Sequence, residues 1–139
     1  MSKYKHIYFS MNFGALPGFV HVSICNDWSE ALKSIITKEK RKAKKSGWLD
    51  FYLDIQEYVS SSNGFGLTVK RKINGVTYFA LFLTEFDKNK SYHHAVLAHE
   101  CLHLCQFHLP DFMNRDEEHE FEAYTHTHLM NQFYKSVLK

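Results

Sequence analysis

The sequence predicts an α+β domain, a small sheet packed on helices. Three observations predict it. Two segments near the start are rich in β-branched and aromatic residues, an Asn-Gly pair sits between two further such segments, and the last third is helical in pattern.

Tyr4 to Phe13 reads as a strand and Val20 to Cys25 as a second, with Gly14, Pro17 and Gly18 between them. Asn26 or Asp27 is placed to cap a helix from Trp28 to about Lys44, which ends near Gly47. Trp48 to Val59 fits a helix or a strand. Ser60 to Gly66 is a loop. Leu67 to Lys72 and Val76 to Thr84 flank Asn74-Gly75, a tight hairpin turn that needs positive φ at both central positions. After a polar turn from Asp87 to Ser91, a helix runs from Tyr92 to about His108, closed by Pro110. A last helix spans about Asp116 to Leu138.

A chain of 139 residues is expected to form one domain over 1–139. Its 45% hydrophobic and 16% aromatic content supplies one sizeable core. The net charge of +2 selects no partner. Three cysteines, Cys25, Cys101 and Cys105, make no even disulfide framework, so reduced thiols and a cytoplasmic location are expected. Met1 to Ser10 has no long apolar stretch, and the apolar run Phe79 to Leu83 is too short to span a membrane. Neither a signal peptide nor a membrane segment is expected.

Eight of the ten histidines lie between His93 and His128. Among them, His99-Glu100-Cys101-Leu102-His103 is an HExxH motif. On a helix, His99 and His103 point about 40° apart, a two-point clamp for a divalent metal, zinc above all. Glu100 lies about 60° from His103 and reaches the same space without being a ligand. Metal-assisted hydrolysis needs this set: the metal lowers the pKa of a water, and the carboxylate takes and later delivers its proton. Leu97, Cys101, Leu104 and Cys105 give the helix an apolar back to bury. That position makes the two thiols packing groups rather than ligands.

A catalytic zinc site usually has three protein ligands. A metzincin extension would need Gly at position 106 and His at 109, where this chain has Gln106 and Leu109. His108 lies nearly opposite the motif's ligand face. The remaining source is the last helix, whose start carries Glu117, Glu118, His119, Glu120 and Glu122. Glu117 and Glu118 suit any helix start, because carboxylates complement the dipole.

HExxH followed by a Glu-bearing helix resembles the gluzincin type of zinc metallopeptidase, whose ligand Glu often stands in E-x-x-A-D. Glu120-Phe121-Glu122-Ala123-Tyr124 matches that pattern except at Tyr124. The last third of the chain is also similar to small HECxH proteins encoded by phages and prophages. The resemblance implies a minimal zincin-like fold, a peptide or protein substrate, zinc, and Glu120 as third ligand. The apolar stripe Leu129, Met130, Phe133 and Val137 runs closer to Glu122, which is the alternative.

His126 and His128 are candidate oxyanion donors, or else packing groups. His93 and His94 line the cleft or face solvent. The Lys-Arg run from Lys38 to Lys45 suits a helix C-terminus, and nucleic-acid binding is not expected from it. The strand Val76 to Thr84 is expected to form the lip of the cleft, where an extended peptide pairs by strand addition. The leading function is a zinc peptidase with Glu100 as general base. The alternative is an inactive metal-binding module acting on a partner.

Overall fold

The computed structural model describes residues 5–43, 46–112 and 115–138, and the side chains of 115–119 fall outside that description. Tyr4, Lys44 and Lys45, with the side chains of Glu117, Glu118 and His119, therefore lie outside the described residues.

The chain is an α+β domain with a four-stranded sheet between two helical layers. Strands β1 (Ile7–Phe13) and β2 (Leu16–Ile24) form an antiparallel hairpin. Helices α1 (Trp28–Arg41) and α2 (Gly47–Ser60) follow, then a second hairpin of β3 (Gly66–Ile73) and β4 (Val76–Leu83). Helix α3 (Ser91–His108), a short 3-10 turn and helix α4 (Arg115–Val137) complete the chain. The hairpins join through a parallel β2–β4 pair, in the order β1-β2-β4-β3.

Alternation along the strands sorts the core. Val20, Val22, Ile24, Phe79, Leu81 and Leu83 face α3 and α4, where they meet Leu97, Cys101, Leu104, Leu129 and Phe133. Ala80, Phe82 and Val69 face α1 and α2. The run Phe79 to Leu83 is apolar without alternation because β4 is covered on both faces.

Expectations are corrected, or an open one resolved, at four points. First, β2 begins at Leu16, because a bulge opposite Asn12 and Phe13 absorbs Pro17 and Gly18, the latter at φ +116. Second, Trp48 to Val59 is helix: Leu49, Tyr52, Ile55 and Val59 recur at helical spacing and all are buried. Third, β4 is not a cleft lip open to a peptide, since it is hydrogen-bonded to β2 on one side and β3 on the other. The edge strand on that side is β3. Fourth, α1 ends at Arg41 with Lys42 as its C-cap, and Gly47 opens α2 instead of closing α1. The N-cap of α1 and the second hairpin turn follow the sequence. Asp27 accepts from the Glu30 amide at 3.2 Å, and Asn74-Gly75 turns the second hairpin at φ 50 and 81.

On the α1/α2 side, His21 stacks on Trp48 with 3.3 Å between ring centroids. The Tyr8 hydroxyl donates to its Nδ1 at 2.6 Å, and the Tyr52 hydroxyl lies 3.0 Å from both. Burial holds the imidazole down to about 4, with Lys42 adding to and Glu39 opposing the effect. An unfolded histidine takes its proton near pH 6.5, before the native one does, so this group favours the native state above that pH. The advantage is lost as pH falls from about 6.5 to about 4, at a total of about 3 kcal/mol. Denaturant unfolding at pH 7.5 and pH 4.5 will show a smaller acid loss in His21→Phe than in the parent. Equal losses would remove His21 as the cause.

Candidate metal centre

Helix α3 places the HExxH side chains by its own pitch. The Nε2 atoms of His99 and His103 lie 3.0 Å apart, with their rings at 88°. Two zinc–nitrogen bonds of about 2.0–2.1 Å at a tetrahedral angle would separate two nitrogens by about 3.3 Å, so the pair fits one metal with little adjustment. His103 is also held against Phe107, one turn on, with the rings near parallel at 5.7 Å. Glu100 completes the cluster: ligand atoms of the three residues lie within 4.8 Å of one another. Among the described residues, this is the only such group of three or more.

Glu100 is buried at 6% exposure while His99 is exposed. Its Oε2 has no hydrogen-bond partner. A buried carboxylate oxygen left in that state is costly unless a cation or a proton donor meets it. Burial pushes the Glu100 carboxyl above its usual range, while His103 and His99 pull it back. The wall behind it is β3. The Thr68 hydroxyl donates to the Glu100 backbone carbonyl at 3.2 Å. Gly66 lies so close that a Cβ there would sit 2.9 Å from Glu100 Cγ. The roles of Gly66 and Thr68 went unread in the sequence. A glycine opening a strand, a mark of close backbone approach, was the available signal.

No known protein family, curated protein or solved structure matches the chain.

The α4 candidates take different places. Glu122 lines a cleft of about 560 Å³ with His99, Leu102 and His126. Glu120 lines a second cleft with Ala15, Phe121 and Tyr124. Among the described residues neither joins the His99–Glu100–His103 group. His126 Nε2 donates to the Ala98 carbonyl at 3.0 Å, which fixes the ring beside that first cleft. His128 instead donates to Asn12 Oδ1 at 2.9 Å.

Three further histidines, His93, His94 and His108, are structural. His108 is buried among Phe13, Phe79 and Phe112 and donates to the Pro17 carbonyl at 2.6 Å, pinning the start of β2 to the end of α3. His93 is buried and accepts from the Asp87 amide at 2.8 Å. His94 accepts from the Tyr134 hydroxyl at 2.7 Å and donates to the Lys88 carbonyl at 2.8 Å. The three cysteines are free and buried, and burial pushes the Cys105 thiol up to about 12. Such thiols are inert at neutral pH. Among the described residues no helix is long and apolar enough to cross a membrane.

Proposed function

We propose that this protein is a zinc-dependent peptidase of gluzincin type. One observation carries the reading: two imidazole nitrogens 3.0 Å apart with a buried carboxylate beside them that has an unpartnered oxygen. His99 and His103 hold the metal. The third ligand comes from α4, and Glu122 is preferred because it shares a cleft with His99. Glu120, selected by the E-x-x-A pattern, is the alternative. When bound, zinc supplies Lewis acidity toward a carbonyl oxygen and lowers the pKa of water. Glu100 takes the proton of the attacking water and passes it to the leaving amine, so its Oε2 must be free of other partners.

A peptide substrate is supported by β3. It is an edge strand, it packs against α3, and its backbone runs past Glu100 at Gly66 and Thr68. An extended peptide added to that edge would lie alongside the site. Phage origin and a cytoplasmic setting are part of the same proposal and rest on the HECxH resemblance and the reduced thiols.

A second reading is an inactive metal-binding module that acts on a partner. It is favoured by Tyr124, 68% exposed where the pattern has an acid that would support a ligand.

Elemental mass spectrometry on the parent, His103→Ala, Glu120→Ala and Glu122→Ala tests the centre. About one zinc per chain is expected, lost in His103→Ala and in Glu122→Ala but kept in Glu120→Ala. Affinity should fall by more than the roughly 100-fold that an outer partner is worth. Zinc lost only in Glu120→Ala among the glutamate variants would transfer the third-ligand role to Glu120. No zinc in the parent after incubation with the metal would end both readings that include it.

A further inference from the structure

Helix α1, with His6 just before β1 and Cys25 just after β2, lines an open cleft of about 490 Å³. Volumes of this order are usual for small-ligand sites. Its walls include His6, Ser34, Lys38 and Arg41. Lys33 and Glu30 also line it, but they pair with each other at 3.4 Å and cancel. Lys38 and Arg41 make no ion pair among the described residues, so two full positive charges remain three residues apart on one face of α1. The Ser34 hydroxyl makes no hydrogen bond among the described residues. Thr37 is spent, since its hydroxyl donates to the Lys33 carbonyl at 2.7 Å.

His6 is a second, independent sign. Its Nε2 is shielded from solvent and has no partner. Burial, and then Lys38, hold the ring below its usual pKa. The unpartnered ring nitrogen and the unpaired ammonium leave two polar groups at the cleft without a counterpart.

We propose that this cleft binds the phosphate group of a small phosphorylated molecule through Lys38, Arg41 and Ser34. Guanidinium and ammonium donors carried on one helix face and lining one cleft suit the several oxygens of a phosphate. A nucleic-acid backbone fits less well. It needs a track of free cations running on from the cleft, and although Lys5 and Lys40 lie nearby in sequence, neither lines it, while Lys42 pairs with Glu39 at 2.9 Å. The site is independent of the metal centre.

The test is a proton NMR titration of His6 in the full chain. Inorganic phosphate and adenosine monophosphate are added, with sodium chloride at matched ionic strength as control. A saturable shift of the His6 ring signals is expected, with the His6 pKa rising as the anion binds. In Lys38→Gln and Arg41→Gln the affinity should fall about tenfold or more. An unchanged melting temperature would show that these exposed-position variants fold as the parent does. A response equal to that of chloride, or no loss in the variants, would overturn the site. A single-stranded oligonucleotide that binds more tightly with each added nucleotide would also overturn it, because that is a track and not a pocket.

Discussion

Glu100→Gln is expected to keep the parent's zinc content and to lose hydrolysis by about 10²–10⁴-fold, the range of a general base. The substitution holds size and shape, so packing against Gly66 and the Thr68 contact to the backbone carbonyl are retained. What it removes is the ability to accept a proton. The glutamine amide cannot do so, and it fills with an N–H the place where the carboxylate has an open oxygen. The measurement pairs kcat/KM on a verified peptide substrate with zinc stoichiometry on the same preparation. Full activity in the variant would remove Glu100 from the mechanism. An unaltered biological effect together with no hydrolysis in either protein would favour the binding module.

Gly66→Ala is expected to cost both stability and rate. A Cβ there meets Glu100 Cγ at 2.9 Å, Val96 Cγ1 at 3.1 Å and Leu83 Cδ2 at 3.2 Å. Two of these groups stand on α3 and the third is buried in β4, so the new methyl is enclosed on three sides. Either β3 and α3 part, or Glu100 turns away from the histidines. Overpacking of this kind costs about 1–3 kcal/mol, which lowers Tm by several degrees in a domain of this size. A displacement of about 1 Å at a reacting group costs on the order of 100-fold in rate. Zinc content should survive, because the methyl meets neither His99 nor His103. Thermal melting, kcat and zinc content on one sample check all three. An unchanged melt and an unchanged kcat would mean that β3 and α3 yield freely, and that Gly66 does not position the base.

Much of this protein was legible along the chain. The second hairpin announced itself at Asn74-Gly75, where few other pairs accept positive φ twice. The helix over 91–108 and its two faces followed from periodicity, and the buried Leu97, Cys101, Leu104 and Cys105 are the ones the pattern selected. Helix α2 was not legible. Its Trp48, Phe51, Tyr52 and Val59 are strand-prone types, and only the sheet face beneath them shows which period is used. His93 was expected to face solvent or a cleft and is buried, because the Asp87 turn folds back over it.

The approach of His99 and His103 is a local matter, decided by helix pitch over four residues, so the sequence alone determined it. Which strand forms the edge beside Glu100 is not local. Strand β4 pairs with β2 across two intervening helices and β3, and that long-range pairing leaves β3 outermost. Nor is the placing of the α4 carboxylates local. Glu120 and Glu122 stand about 200° apart around their helix, so rotation of α4 about its axis decides which one meets the His99 cleft. That rotation is set by Leu129 and Phe133, which bury against the sheet two and three turns away.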